Sequence, residues 1–234
     1  MKTTLLFLSV FLSVSLFGQQ NIEKANCIKE VNLSKKDKIC IVPIANMTEC
    51  YDKFNEYFDL FEPIETNQTI AWYLDNLDFN TFKENVPEGP FDTDLDYYKV
   101  WIDKSLGDEF ITREMFEYMQ TMLKSVFDEN IIDFVENKFE QNFGSTINLS
   151  KETELNTYLI NKNIFSGKIV ISAAIDGGKE KHKICAMNLI YFEKKGRMIF
   201  TACYQNFDGI KSISELNAKN EKFNSRFFSS NDNE

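Results

Sequence analysis

The last third of the chain carries the feature that most constrains the fold, a series of apolar, strand-like runs separated by very short turns. The runs are residues 155–161, 168–175, 183–192 and 197–204. Glycine-containing turns at Asp176-Gly177-Gly178-Lys179 and Lys194-Lys195-Gly196 join the last three runs, and turns this short connect antiparallel neighbours. The sequence therefore predicts an antiparallel meander.

Helix-period stripes and further strand-like runs surround this meander. After it, Ser212 and Glu215 form a capping box, followed by an apolar stripe that reaches about Phe228 and contains Phe223 and Phe227. Upstream, the predicted helices are residues 48–61 (with Thr48 as N-cap), 77–84, 112–127 and 131–143, and the predicted strands are residues 38–44, 68–74 and 98–103. This order predicts an α+β fold, a mainly antiparallel sheet with a C-terminal β-meander, covered by helices in a layered α/β sandwich.

The N-terminus has the three parts of a secretory signal peptide. Lys2 precedes an apolar run at residues 5–17, which ends at Gly18 before a polar stretch. This run is shorter than the roughly 20 residues that a membrane-spanning helix needs. We therefore predict export to the periplasm or the extracellular space, with no membrane span in the mature chain. The predicted divisions are 1–18 signal peptide, 19–37 extended lead-in, 38–228 single α+β domain and 229–234 disordered tail.

The charge balance bears on the class of partner. The chain has 26 Lys and Arg residues against 36 Asp and Glu residues, a net charge of −10, and cleavage would remove only Lys2 among these. An acidic surface repels the phosphate backbone that nucleic-acid-binding proteins attract with basic faces. We therefore predict a protein or a small ligand as the partner, and no nucleic acid.

Five cysteines follow the predicted signal peptide, an odd number that leaves at least one thiol without a partner in the same chain. Two interpretations stay open. All five pack as small buried apolar groups, or an oxidising compartment allows one disulfide to form. In the second case the predicted bond joins Cys50 to Cys27 or Cys40, near the first strand and helix.

Cys185 and Cys203 lie on consecutive strands of the meander, so the register of those strands decides whether they can bond. A three-residue turn would pair Cys203 with Met187 and place the two cysteines on a diagonal of about 7 to 8 Å, beyond disulfide reach. A two-residue turn would pair Cys203 with Asn188 and put the two thiols on opposite faces. Both registers predict two unpaired thiols.

The sequence lacks the motifs of the common catalytic and nucleotide-binding sites. It contains no G-x-S-x-G elbow, no G-x-x-x-x-G-K-[ST] loop and no G-x-G-x-x-G fingerprint. Its single histidine, His182, lies among lysines at a predicted strand edge. That pattern is typical of a solvated hairpin rim rather than of a catalytic or metal site.

One acidic constellation is a candidate metal site. Asp92, Asp94 and Asp96 alternate as in the first half of a calcium-binding loop. Such a loop needs Gly at its sixth position and Glu at its twelfth, where this chain has Tyr97 and Asp103. An exposed acidic loop is therefore the preferred interpretation and no cofactor is predicted, while calcium at these three aspartates stays open as the alternative.

Residues 155–228 resemble the end of PsbP-like domains. The resemblance is carried by Ser166-Gly167 before a strand, the turn Lys194-Lys195-Gly196-Arg197, the run 200–204, and Phe223 with Phe227. It is topological and covers about a third of the chain: an antiparallel meander, a glycine-containing turn and a terminal amphipathic helix rich in Phe. The resemblance implies an α/β/α sandwich that works as an accessory or binding protein rather than as an enzyme.

Two classes of function follow from these patterns. The lack of a polar catalytic set beside a well-patterned core favours a non-enzymatic binding or accessory domain, which would present a sheet face or the acidic loop to its partner. The alternative is a carboxylate-based or calcium-dependent hydrolase that uses Asp92, Asp94 and Asp96.

Overall fold

A computed structural model describes residues 26–34, 37–62, 64–86, 95–123 and 129–232, with residues 129–131 described by their backbone alone. The predicted signal peptide at residues 1–18 lies outside these ranges. The loop predicted around residues 87–90 and the last two residues of the chain also lie outside them.

Ten strands are present in the described ranges, and eight of them form one antiparallel sheet. The strands are β1 (Lys29–Asn32), β2 (Lys38–Ile41), β3 (Met47–Glu49), β4 (Asn67–Asp75), β5 (Tyr97–Asp103), β6 (Ile147–Lys151), β7 (Asn156–Asn161), β8 (Ile164–Ile175), β9 (Lys181–Phe192) and β10 (Arg197–Asn206). The sheet has the order β3-β4-β5-β10-β9-β8-β6, and β7 pairs with the other half of the β8 edge that β6 occupies. β1 and β2 form a separate hairpin.

The predicted meander is present as β8, β9 and β10, the three longest strands of the sheet. Their residues are buried on both faces, which accounts for the long apolar runs in the sequence. β3 and β6 were not predicted, because they are short and β6 reads Ile-Asn-Leu-Ser-Lys, with only two apolar residues. The fold class is α+β with a mainly antiparallel sheet covered by helices, as predicted.

The turn between β9 and β10 is a four-residue loop at residues 193–196, since Phe192 pairs with Arg197. Gly196 ends this loop with a left-handed φ of 57°. The ring of Phe110 packs against it so closely that a Cβ at position 196 would lie 2.2 Å from Phe110 Cδ2. Glycine is therefore required here both by the backbone conformation and by the space.

This loop gives a register that differs from both predicted ones. Cys203 pairs with Ala186, and Cys185 pairs with Tyr204. The two cysteines consequently lie on opposite faces of the sheet. Both are buried free thiols, so the prediction that they stay unpaired is confirmed, although neither register used to argue it is present.

Five α-helices and two short 3-10 turns accompany the strands in the described ranges. They are α1 (Tyr51–Phe58), α2 (Asn76–Glu84), α3 (Arg113–Leu123), α4 (Glu129–Phe143) and α5 (Ile210–Asn231), with 3-10 turns at Asp59–Phe61 and Lys104–Leu106. Two predicted N-caps are wrong. Thr48 lies in β3 and its hydroxyl bonds Asn76 Oδ1 at 2.8 Å. Ser212 lies inside the first turn of α5, where its hydroxyl accepts the Asp208 N–H at 2.8 Å.

Two predicted boundaries also differ from the structure. The lead-in at residues 19–37 contains β1, and α5 continues to Asn231, so residues 229–231 are helical rather than part of a tail. Asn231 fixes this end of the helix through β2. Its Oδ1 accepts the Cys40 N–H at 2.6 Å, and its Nδ2 donates to the Cys40 carbonyl at 3.0 Å.

Helices cover both faces of the sheet. On one face, α5 and the β1–β2 hairpin bury a core that includes Ile39, Ile41, Leu216, Phe223 and Phe227. The opposite face is covered in patches, by α3 around Phe116 and Leu123 and by α1 and α2 around Phe58, Phe82 and Trp72. α4 contacts β6 and the 3-10 turn Asp59–Phe61. The layers are therefore helix, sheet and helix.

A buried polar network lies within the contact between α5 and the sheet. Asn188 of β9 and Asn220 of α5 each donate an amide N–H to the other's Oδ1 at 2.9 Å. Asn224, one turn further along α5, donates to Asn220 Oδ1 at 2.9 Å and accepts from the Thr201 hydroxyl at 2.7 Å. Asn188, Thr201, Asn220 and Asn224 are each at most 1% exposed. Their mutual hydrogen bonds therefore replace the hydrogen bonds to water that these side chains lose on burial.

Cys27 and Cys40 form a disulfide, with their Cα atoms 5.3 Å apart. The prediction that Cys50 would be one of the partners is wrong. Cys50 is buried just before α1, and its thiol donates to the Trp72 carbonyl at 3.3 Å. The β1–β2 pairing explains the observed bond, because the backbone of Ile28 bonds Ile41 and thereby brings the neighbouring cysteines together.

Truncation of Phe227 tests whether buried apolar contacts hold α5 against the sheet. It is fully buried, and its ring lies near Phe192 and Phe223. We expect Phe227→Ala to lower the free energy of unfolding by about 3 to 5 kcal/mol, because it removes buried apolar surface and leaves a cavity. Ile210→Ala, at an 86% exposed position of the same helix, should change it by no more than about 0.5 kcal/mol. Urea unfolding followed by circular dichroism measures both, and equally small effects would contradict the docking of α5.

Counting thiols tests the cysteine assignment. Burial raises the pKa of Cys50 and Cys185 to about 12 and also raises that of Cys203, so the reactive thiolate is scarce at neutral pH. We expect Ellman's reagent to label none of the cysteines in the folded, unreduced protein. It should label three after unfolding in guanidinium and all five after reduction. Five labelled thiols without reductant would contradict the disulfide, and one would indicate a second bond.

Candidate functional site

A cavity of about 300 Å³ lies between α4 and the sheet face that is turned away from α5. Its floor is formed by residues of β4, β5, β8, β9 and β10, and its walls by α4, β6 and the 3-10 turn Asp59–Phe61. Small-molecule sites have volumes of about 300 to 1,000 Å³, so this cavity has the size of a compact ligand site. Most of the lining side chains are apolar, among them Phe61, Val135, Phe139, Ile147, Leu149 and Ile171.

Aromatic rings form much of the cavity floor. Trp72, Tyr97 and Tyr204 stack in series across β4, β5 and β10, with ring centroids 4.8 and 4.5 Å apart. Trp101 lies next to them and stacks on Phe200 at 5.5 Å. Trp72 and Trp101 are the two tryptophans of the chain, so its intrinsic tryptophan fluorescence comes entirely from this cavity.

The period-two alternation of β5 places these side chains. Tyr98 and Val100 belong to the core under α5. The residues that alternate with them, Tyr97, Lys99 and Trp101, therefore point to the cavity side. The strand predicted at residues 98–103 is therefore present as β5. Large apolar residues occur at odd and at even positions of this strand, as expected for a strand that is covered on both faces.

A buried ion pair between Lys99 and Glu62 lies in the cavity wall. Lys99 Nζ donates to Glu62 Oε2, and the two side chains are only 11% and 10% exposed. The ammonium also lies 5.6 Å from the ring centroid of Trp72 and 5.3 Å from that of Trp101, within the range of cation–π attraction. The charge of Lys99 is thus held between one carboxylate and two indole rings.

Glu62 is fixed through its second oxygen. Its Oε1 accepts the side-chain amide of Asn67 at 3.0 Å and the backbone N–H of Ile64 at 3.2 Å. Together with Lys99, three donors therefore orient this carboxylate. An oriented carboxylate in turn fixes the ammonium of Lys99 at one place on the wall.

Two more lysines line the cavity. Lys183 donates to the Leu95 carbonyl at 2.9 Å, and Lys138 lies 3.7 Å from the exposed carboxylate of Glu65. The lining within the described residues therefore contains three lysines and one glutamate. This local excess of positive charge contrasts with the net charge of −10 of the chain.

The phenol groups on the floor do not ionise near neutral pH. Desolvation raises the pKa of Tyr97 and that of Tyr204 well above the usual value for tyrosine. Both hydroxyls therefore stay protonated, and hydrogen bonds already link Tyr97 to Tyr204 and Tyr204 to the thiol of Cys185. A phenol that stays protonated is not suited to removing a proton from a ligand.

The acidic residues selected from the sequence lie elsewhere. Asp92 and Asp94 are outside the described residues, and Asp96 Oδ1 accepts the backbone N–H of Asn206 at 2.9 Å. Within the described part of the chain, no group of three or more His, Cys, Asp and Glu residues is placed to hold a metal ion. Calcium at Asp92, Asp94 and Asp96 stays a prediction, as does the hydrolase alternative that depends on it.

His182 lies outside the cavity, on the exposed part of β9. Its Nδ1 pairs with Glu152 Oε1, and its side chain is 48% exposed. The structure therefore places it on a solvated rim, as the sequence indicated.

Sequence analysis missed Lys99, Glu62 and both tryptophans. The sequence of β5 did contain a signal for a buried charge, because a lysine lies between aromatic residues on a strand that is apolar on both faces. A lysine in such a place needs a buried partner. That partner is 37 residues away, so no local spacing rule could have identified Glu62.

Comparisons with known proteins give little further guidance. No protein-family model matches the chain, and no curated protein matches it. Solved structures similar to it include the Ran-binding protein Mog1p of Saccharomyces cerevisiae, with 13% identity and a TM-score of 0.30 over 88% of this chain and 90% of that one. They also include a mutant of the protein Mog1, with 16% identity and a TM-score of 0.29 over 86% of this chain and 87% of that one. TM-scores this low transfer neither the fold in detail nor a function.

None of the helices in the described ranges combines the length and the apolar character needed to cross a membrane. The exclusion of nucleic acid and the PsbP-like resemblance stay predictions.

The ion pair can be tested through stability. We expect Lys99→Met to lower the free energy of unfolding by about 3 to 5 kcal/mol, because it leaves the Glu62 carboxylate buried without its countercharge. The double variant Lys99→Met/Glu62→Gln removes both charges and should recover most of this loss. Urea unfolding of the three proteins measures the difference. A double variant no more stable than Lys99→Met would contradict a buried pair at this site.

Proposed function

We propose that this chain is an exported, non-enzymatic binding protein that holds a small apolar molecule in the cavity between α4 and the sheet. The observation that carries the proposal is the cavity itself, a partly open space of about 300 Å³ with an aromatic floor and a few polar groups. Small-molecule sites have this composition, an apolar lining that supplies affinity and a small number of polar groups that fix orientation.

The polar groups at the cavity support a binding role over a catalytic one. Desolvation keeps the phenols of Tyr97 and Tyr204 protonated, and three donors already engage Glu62. Groups held in this way orient a bound molecule, whereas general acid–base catalysis needs a group poised to exchange a proton at the working pH.

Export is supported by two independent features. The first is the signal-peptide pattern at residues 1–18. The second is the disulfide between Cys27 and Cys40, because such bonds persist in oxidising compartments and are rare in the cytosol. The ligand would then be one that this protein meets in the periplasm or outside the cell.

Binding of a neutral apolar fluorophore tests the proposal. We expect N-phenyl-1-naphthylamine to bind the purified protein at a single saturable site and to change the fluorescence of Trp72 and Trp101, because both indoles line the cavity. Ala173→Phe puts a ring into the cavity from β8. It should weaken binding by about tenfold or more, equivalent to about 1.4 kcal/mol.

Ala218→Phe is the matched control. It introduces the same ring at an exposed position of α5, on the other side of the sheet, and should leave binding unchanged. Circular dichroism and thermal melting verify that both variants are folded. The absence of saturable binding to the wild-type protein, or equal binding to Ala173→Phe, would contradict the proposed site.

A further inference from the structure

The cavity has a charged end and an apolar end. Lys99 and both tryptophans lie on β4 and β5, whereas Ile147 and Leu149 lie on β6. In the strand order β5-β10-β9-β8-β6, four strand spacings separate these two ends. Strands pair at about 4.8 Å, so the cavity extends over roughly 19 Å of the sheet. Such a space fits an elongated molecule better than a compact one.

The β6 end of the cavity is lined mostly by apolar side chains, with Lys183 beside it as the strand partner of Ile171. Val135 and Phe139 of α4 face Ile147 and Leu149 of β6 and Ile171 of β8 across it. These side chains offer dispersion contacts and no hydrogen bonds, which suits an aliphatic chain. A polar group buried there would lose its bonds to water without replacement.

The charged end retains binding capacity for an anion. An ammonium group has three N–H donors, and within the described residues Glu62 accepts from one of those on Lys99. The contacts with Glu62 and with the two indole rings fix the position of the ammonium group, and they thereby fix the directions of its remaining N–H donors. A charged acceptor bonds such a donor more strongly than a neutral one does. Lys183, which also lines the cavity and donates to a neutral carbonyl, adds positive potential that favours an anion and disfavours a cation, whereas the charge of Lys138 is balanced by Glu65.

We propose that the ligand is a linear aliphatic carboxylate, bound with its head group on Lys99 and its chain extended under α4 towards β6. The inference rests on the proposed function, since it names the class of molecule that the same cavity takes. It adds a requirement that cavity size alone does not impose, namely a single negative charge at one end of the ligand.

Three probes that share one alkyl chain and differ in their head group separate the contribution of the charge to binding from that of the alkyl chain. Decanoate, decanol and decylamine are titrated into the purified protein by calorimetry and by the fluorescence of Trp72 and Trp101. We expect decanoate to bind at least about tenfold more tightly than decanol, the scale of one hydrogen bond to a charged group. Decylamine should bind no better than decanol.

Two variants locate the head group. Lys99→Met/Glu62→Gln makes this wall neutral without leaving an unpaired charge, and it should lose the preference for decanoate over decanol while still binding decanol. Lys211→Met, at an exposed lysine of α5, removes the same charge on the other side of the sheet and should keep the preference. Binding of decanol by the double variant also shows that its cavity is intact.

The possible outcomes distinguish this inference from the proposed function. Equal binding of decanoate and decanol by the wild type would overturn the carboxylate while leaving an apolar site. A preference for decanoate that survives in Lys99→Met/Glu62→Gln would overturn the role of Lys99. Failure of all three probes together with N-phenyl-1-naphthylamine would overturn the proposed function itself.

Discussion

The pair of amide hydrogen bonds between Asn188 and Asn220 is the contact on which the arrangement of the layers depends. Apolar rings such as Phe223 and Phe227 attach α5 strongly but tolerate small shifts, because the hydrophobic effect has no preferred direction. Buried amides are different, since each N–H and carbonyl must find a partner at one distance and angle. The two bonds between Asn188 and Asn220 form together in one position of the helix, so this pair fixes the register of α5 on β9.

The two faces of the sheet are consequently closed in different ways. One long helix with a fixed register covers the first face, where Phe223, Phe227 and the asparagines exclude water. Several shorter helices cover the second face in separate patches. The space between those patches becomes the cavity, whose floor includes Trp72, Tyr97, Trp101 and Tyr204. Lys99 is tolerated there because Glu62 and two indoles replace the water that its ammonium gives up.

Sequence patterns predicted the elements that depend on local periodicity. β8 to β10 follow from long apolar runs with turns between them, and the alternation in β5 follows from side chains that point to opposite faces. Short elements were missed, because β3 and β6 have too few residues to establish a period. The capping box at Ser212 failed because Gly209 begins α5 earlier and the serine hydroxyl bonds Asp208 instead.

Long-range features could not be predicted at all. The choice of Cys27 over Cys50 as the partner of Cys40 depends on the β1–β2 hairpin, and the number and spacing of cysteines do not specify connectivity. The same holds for the cavity. It needs α4, the 3-10 turn Asp59–Phe61 and six strands to meet, and its ion pair joins two segments that have no common sequence pattern.

The position of Cys40 has a practical consequence for anyone who modifies this chain. Cys40 is bonded to Cys27 near one end of the described chain and to Asn231 near the other. Both ends therefore meet at the β1–β2 hairpin, on the side of the sheet that α5 covers. An affinity handle or a fluorescent fusion joined after Asp232 would start on the side of the sheet that α5 covers, away from the cavity.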